Sequence, residues 1–268
     1  MLFFTTNRTM KNYTATLLLS CAMFASFISG CSSSRIETTN PENRKPEMTL
    51  RVASLDLAHY KKRIEKKDIA QLAKTLKDQN IDALTVQNIS RYPGTSTSID
   101  FVDELTSRTG MRTAFGEMSN VNGHQTGNAV FSLYPVLAHS VISFDAESSP
   151  LFESAVQANI DAGIGSLTLI STQLPQKADS TVLENCFKKL TANAGEQRNP
   201  LFILAGNLPS LENFTPSDNL EPIDIEESAF SPVMWKIKNP SLKAAAANNI
   251  KTSLGTMIIS QFDLYRPQ

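Results

Sequence analysis

The sequence predicts an α/β domain, a mixed β-sheet assembly covered by helices, on three observations. Short apolar stretches of strand-like length recur between residues 49 and 205, a few helical repeats are interspersed among them, and the first strand, helix and strand follow in the order of a parallel crossover unit. With 268 residues, 41% of them hydrophobic and only 3 Cys, the chain has material for an ordinary core and no disulfide framework.

The first thirty residues carry Arg8 and Lys11, no acid, and an apolar run from Tyr13 through Ile28 broken only by Thr and Ser. That is the pattern of a secretory leader. The run ends Phe27-Ile-Ser-Gly-Cys31 and is followed by Ser32-Ser-Ser34, a segment that resembles the lipobox of bacterial lipoproteins. The resemblance implies cleavage before Cys31 and acylation of its thiol and new amine, a two-chain anchor strong enough to hold a protein at a membrane. A transmembrane helix or an ordinary cleaved leader are the alternatives; the run is shorter than the ~20 residues a span wants. Met1 and Met10 both stand as candidate starts. The mature chain would carry 23 basic and 26 acidic residues, a net charge of −3, so a membrane surface would not attract it without the lipid.

Residues 31–48 are rich in Ser, Thr, Asn, Pro and charge and read as a tether, leaving 49–268 as one domain. Thr49–Leu57 alternates as a half-buried strand does. Lys67–Gln79 places Ile69, Leu72, Ala73 and Leu76 on one helical face, and Ile81–Gln87 is the next strand. A helix over 98–108 follows, then strands over 128–132, 136–144, 155–160, 166–172 and 201–205, with Gly163-Ile-Gly165 as a hairpin turn and a last helix over 181–194. Cys186 falls on that helix as a core-facing thiol.

The formal net charge of −1 argues against affinity built on phosphate neutralisation, so nucleic acid is not the expected partner. The 3 His and 3 Cys show no zinc-ligand spacing, and there is no G-x-S-x-G elbow. His59 and His124 fall in turn-like segments, His139 in a strand. The basic run Lys61-Lys-Arg63 with Lys66-Lys67 is a solvated turn and helix start, or in a sharper reading a phosphate-binding rim.

Several strand ends resemble those of the endonuclease/exonuclease/phosphatase superfamily of metal-dependent phosphodiesterases, over a match from Thr49 to the C-terminus. Gly127-Asn-Ala-Val-Phe-Ser-Leu-Tyr-Pro-Val136 is the most specific piece. Leu50-Arg-Val-Ala-Ser-Leu-Asp56 is similar to the opening strand, with Asp56 in the slot of a metal-proximal Asn. Ile81-Asp-Ala-Leu-Thr-Val-Gln-Asn-Ile89 is similar to the second, with Asn88 for the metal-binding Glu. Leu169-Ile-Ser-Thr-Gln-Leu174 puts Gln173 in place of a His. Phe202-Ile-Leu-Ala-Gly-Asn-Leu-Pro209 puts Asn207 in place of the Asp that activates water, and Val233-Met234 stands where Ile-Asp is expected. Ser260-Gln-Phe262 is matched to the closing Ser-Asp-His, which puts Gln261 in the slot of an Asp. The resemblance implies a four-layer sandwich: two packed mixed β-sheets flanked by helices.

It also implies what the substitutions remove. A Mg²⁺ site typically draws on one or two carboxylates, whereas amide oxygens are neutral. An Asn cannot take a proton from water, and general acid–base help is worth on the order of 10² to 10⁴ in rate. Gln173 cannot supply an imidazolium for a phosphorane-like charge. No catalytic residue and no cofactor are therefore expected. The expectation is a lipid-anchored protein of the cell envelope, facing the periplasm from the outer membrane if the source is a diderm bacterium. Its pocket of Asp56, Asn88, Gln173, Asn207 and Gln261 would serve a small polar ligand or an envelope protein. The alternative is an active Mg- or Mn-dependent phosphodiesterase or phosphatase using non-standard ligands.

Overall fold

The computed structural model describes residues 44–60, 62–92, 98–144, 154–174, 179–195, 201–207, 219–223 and 233–266. The leader and Cys31 lie outside the described residues, and Lys45–Gln268 forms one compact unit. Strand β1 (Met48–Asp56) is followed by helix α1 (Lys66–Asp78), β2 (Ala83–Arg91), α2 (Phe101–Thr109), β3 (Arg112–Val121), β4 (His124–Ser132) and β5 (Val136–Ser143). Then come β6 (Ser154–Asp161), β7 (Ser166–Gln173), α3 (Ser180–Gly195), β8 (Leu201–Asn207), β9 (Leu220–Pro222), β10 (Val233–Ile237), β11 (Leu242–Thr252) and β12 (Gly255–Leu264). No helix of the described residues is long and apolar enough to cross a membrane.

The strands form two six-stranded mixed sheets, ordered β11-β12-β1-β2-β4-β3 and β5-β6-β7-β8-β10-β9. Alternation assigns the faces. On β1, Leu50 and Val52 enter the core between the sheets, where Val156, Leu169, Ile203 and Phe262 meet them. Ala53 and Leu55 face the other way, under Ile69, Leu72 and Leu76 of α1 and Leu105 of α2. Phe202 and Leu204 likewise turn outward from β8 onto Leu183, Phe187 and Leu190 of α3, where Cys186 is buried too. Helix, sheet, sheet and helix are thus held by three apolar layers, each fully buried large side chain contributing on the order of 2 kcal/mol. The helix ends follow local chemistry. Asp68 accepts the Glu65 backbone N–H at 2.9 Å to open α1, Asp100 accepts that of Asp103 at 3.1 Å to open α2, and Gly110 closes α2 at φ 72°.

Two pairings set the direction of the molecule. β1 and β2 are parallel, with Asp56 beside Gln87, and β7 and β8 are parallel, with Gln173 beside Asn207. All four end at the same pole, because the Gln87 side chain donates from β2 to Ser171 of β7 at 2.9 Å and Asn207 of β8 reaches Asp56 of β1. The β6–β7 hairpin turns at Gly163–Gly165 as the glycine spacing predicts, the Ala162 N–H donating to the Gly165 carbonyl at 3.0 Å. Strands β3, β9, β11 and β12 are additions to the elements the sequence predicted.

Gly206 sits at φ 154°, and a Cβ there would stand 1.8 Å from the Thr172 carbonyl oxygen. Gly206→Ala is expected to cost roughly 3 kcal/mol or more, measured by chemical denaturation. A second expectation concerns Asp82, the half-buried residue before β2 whose carboxylate accepts the Arg51 N–H at 2.8 Å. Burial pushes its pKa up, with Arg51 only partly opposing this. The folded chain then binds this proton more tightly than the unfolded one. That share of stability is present at low pH and lost as pH rises through the folded pKa. The Asp82→Asn chain should be the more stable near neutral pH, with the gap in Tm closing as pH falls towards 4.

Candidate functional site

Ligand sites of open α/β sheets lie beyond the carboxyl ends of the parallel strands, and here four such ends share one pole. Asp56, the last residue of β1, belongs by alternation to the inter-sheet face and is only 7% exposed. Its Oδ1 accepts the Asn88 side-chain amide at 2.7 Å and the Ala58 backbone N–H at 2.9 Å; its Oδ2 accepts the Asn207 amide at 2.7 Å. Asn88 comes from the same sheet as Asp56 and Asn207 from the opposite one, so the carboxylate joins the two sheets.

The position of Asn88 has a backbone cause. Its φ is 60°, and the β2–β4 register shifts between Val86 and Ile89. A bulge with one left-handed residue re-aims a side chain at a strand end, and Asn tolerates that conformation where most residues do not. Asn128 of β4 supports the bulge. Its Oδ1 accepts the Asn88 N–H at 3.3 Å and its amide donates to the Ser154 carbonyl of β6 at 2.9 Å.

Below this group the inter-sheet face stays polar for two more strand positions. Thr85 donates to Ser54 at 2.8 Å, Ser54 lies at 3.5 Å from the Gln87 Oε1, and Ser171 donates to the Val86 carbonyl at 3.1 Å. Ser54, Thr85, Gln87 and Ser171 are fully buried. The sequence reading missed this seam. Its signal was present in Ser54-x-Asp56 and Thr85-x-Gln87, polar residues at period two in otherwise apolar strands.

Gln173 ends β7 level with Asn207 and opposite Ser154. Its Oε1 and the Ser154 Oγ have no hydrogen-bond partner among the described residues. Gln261 is not part of the site. It pairs with Arg51 in the middle of β12, five strand positions or about 17 Å from Asp56. Its neighbours Ile259 and Met257 at the same parity pack under the helices, so it also lies on the wrong face. The part of this hairpin that does reach the Asp56 pole is the turn Ser253-Leu254-Gly255, which offers neither a carboxylate nor an imidazole. Asp263 bonds Thr49 at 3.0 Å near the opposite pole and cannot help Asp56. Met234 is buried in β10 opposite Ala205.

A groove of about 420 Å³ opens beside Asn88, with Tyr60, Tyr92 and Ser90 on its walls and Lys62 and Arg63 at its rim. Burial, and then the Asp68 carboxylate 3.3 Å from its hydroxyl, push the Tyr60 pKa up, so the phenol stays a neutral hydrogen-bonding group. Tyr92 stacks on His124 at 4.5 Å and 2° between ring planes. His59 lies in the turn after β1, and His139 is exposed on β5, away from Asp56.

No protein-family model and no curated protein sequence matches the chain. Solved structures do. An endonuclease/exonuclease/phosphatase family protein from Leptotrichia buccalis aligns at TM-score 0.59 and 13% identity, over 80% of this chain and 100% of that one. The endonuclease/exonuclease/phosphatase from Beutenbergia cavernae aligns at 0.60 and 16%, over 81% and 72%, and truncated Caenorhabditis elegans TDP2 at 0.60 and 14%, over 81% and 98%. The chain has the endonuclease/exonuclease/phosphatase fold. At these identities the likeness establishes the fold, and activity has to be argued from the site.

The divalent cation implied by the resemblance does not fit the residues present. Among the described residues no three His, Cys, Asp or Glu side chains come together to hold a metal ion, and both oxygens of Asp56 already accept N–H donors. A cation at Asp56 would have to displace or turn two amides and compete with the Ala58 N–H for a carboxylate that is already satisfied.

The bonds to Asp56 yield a stability test. Asn207→Ala leaves a buried carboxylate short of a donor and should cost about 2 kcal/mol in denaturant unfolding. Asn88→Gly should cost a similar amount. Asn88→Ala should cost about 1 kcal/mol more than Asn88→Gly, because Ala also carries the left-handed backbone strain.

Proposed function

We propose that the chain is a lipid-anchored envelope protein whose endonuclease/exonuclease/phosphatase-like domain is catalytically degenerate and works as a binding or interaction module. The observation that carries this reading is the state of Asp56. The carboxylate where the four strand ends converge is fully engaged by the amides of Asn88 and Asn207 and the N–H of Ala58. Amide side chains neither take a proton from water nor charge a neighbouring imidazole, so the pole has hydrogen-bonding capacity without acid–base capacity. The tyrosine-walled groove beside Asn88, with Ser90 on its wall, suits a small neutral polar or sugar-like ligand. The Danio rerio TDP2 structure similar to this chain was obtained with single strand DNA product. This chain's net charge of −1 gives no comparable reason to expect nucleic acid. Anchoring rests on the leader and on Phe27-Ile-Ser-Gly-Cys31.

Two measurements test the two halves of the reading. Calorimetry with Mg²⁺ and Mn²⁺ and turnover of a chromogenic phosphodiester should show neither binding nor metal-dependent hydrolysis. Metal-dependent turnover abolished by Asp56→Ala would establish the active hydrolase instead, and turnover that survives Asp56→Ala would place the chemistry elsewhere. In cells fed an alkyne-tagged fatty acid, the chain should take up the label and fractionate with membranes. Cys31→Ala should lose both, and retention of both would remove the anchor.

A further inference from the structure

The parallel strands give the domain two unlike poles, and the chain enters it at the pole opposite Asp56, through Glu47 and Met48. Asp82 lies at the entry pole, its N–H donating to the Arg51 carbonyl at 2.9 Å while its own carbonyl accepts the Leu133 N–H at 2.9 Å. Helices α1 and α2 both end there, and between their ends lies a cleft of about 740 Å³. Leu76, Ile81 and Met111 form its apolar floor, each at most 3% exposed, and Leu133 stands 48% exposed at its edge. Lys74, Lys77 and Arg108 line the cleft against the single carboxylate of Asp82.

The charges at this rim are available to a partner. Lys74 is paired with Asp78 in an exposed i,i+4 pair of the kind worth a fraction of a kcal/mol and easily exchanged, while Arg108 is held by the half-buried Glu104. Lys77, and Arg112 whose guanidinium lies 3.5 Å from the Leu133 carbonyl, have no acidic partner among the described residues. The C-terminal carbonyl of Gln79 is already capped by the Arg51 guanidinium at 2.7 Å, so Lys77 is not needed for that purpose. An apolar floor under a cationic rim suits an amphiphile with an anionic head.

We infer that this pole is the membrane-facing surface of the domain and that the cleft between α1 and α2 takes the headgroup of an anionic phospholipid. The inference rests on the anchor at Cys31 proposed above. Residues 32–47 extend to at most ~60 Å, so the anchor keeps the domain near the bilayer without orienting it. Docking at the entry pole supplies the orientation. A weak headgroup site suffices, because the anchor makes its engagement effectively intramolecular. The Asp56 pole then points away from the bilayer, towards whatever it binds.

The test uses the full chain, produced with its leader and reconstituted in vesicles of 30% phosphatidylglycerol in phosphatidylcholine or of phosphatidylcholine alone. A fluorophore on Leu133→Cys should be quenched by headgroup-located quenchers in the anionic vesicles only. One on Val121→Cys, at the far end of β3, should be quenched in neither. The same Leu133 label should respond to dihexanoyl phosphatidylglycerol below its micellar concentration. Lys77→Glu with Arg112→Glu should weaken that response roughly tenfold or more. A chain that floats with vesicles yet shows no quenching at 133 and no response to the soluble lipid overturns the docking surface and leaves the anchor standing. A chain that does not float removes the anchor, and the soluble-lipid titration then decides the headgroup site by itself. Inorganic phosphate binding as tightly as the soluble lipid would overturn the inference in favour of a plain anion site.

Discussion

A carboxylate that is 7% exposed must find hydrogen-bond donors inside the protein, and the way Asp56 finds them organises one whole end of this molecule. Its two oxygens face two sheets. Asn88 approaches from the neighbouring strand of the first sheet only because β2 bulges and Asn88 adopts a left-handed backbone. Asn207 approaches from the second sheet only because β8 runs parallel to β7 and stops at the same height. The requirement of one anion thus couples a backbone irregularity to the registry of two sheets.

The polar seam beneath Asp56 belongs to the same constraint. Two sheets packed through Leu50, Val52, Leu169 and Ile203 could slide against each other at little cost, since apolar contact is not directional. The bond from Gln87 to Ser171 is directional, and so is that from Asn128 to the Ser154 carbonyl. Each crosses from one sheet to the other within a few residues of Asp56, and a buried polar group without its partner costs about 1–3 kcal/mol. The apolar core holds the sheets together, and this seam sets their relative position where the strand ends meet. Towards the entry pole the inter-sheet core is mainly apolar, with Leu50, Val52, Ala83, Leu167 and Leu201 in it.

What could be read from the sequence follows from how local each signal is. β1, β2, β7 and β8 are legible because alternation or an apolar run is interpretable without knowing the neighbours; Asp56, Gln173 and Asn207 at the ends of three of them, and Asn88 at the bulge of β2, come out at one pole for that reason. β11 is not legible: Lys243-Ala-Ala-Ala-Ala-Asn-Asn249 has no alternation, since it is an edge strand with most of its side chains exposed. Without β11 its hairpin with β12 is invisible, the short turn at Ser253-Leu254-Gly255 gives little sign of itself, and Gln261, matched to a closing Asp, lies in mid-strand. The bulge at Asn88 and the seam through Gln87 depend on partners distant in the chain, so no local pattern could announce them in full.

The location of Asp56 limits what the pole can do. A hard cation at that point would need anions around it in excess of the donors, and the described arrangement has the reverse: three N–H groups converge on one carboxylate. Turning the two amides over would offer their oxygens to an ion, yet the set would still hold a single negative charge, and the Ala58 N–H would still compete for Oδ1. The same geometry is well suited to the opposite task. With Asp56 already satisfied by the protein, a neutral ligand entering beside Asn88 is not required to neutralise anything. Such a ligand would need only to match hydrogen bonds with the groove wall at Asn88 and Ser90 while its apolar faces rest on Tyr60 and Tyr92. Selectivity at such a site would come from shape and from the cost of leaving an amide unpaired.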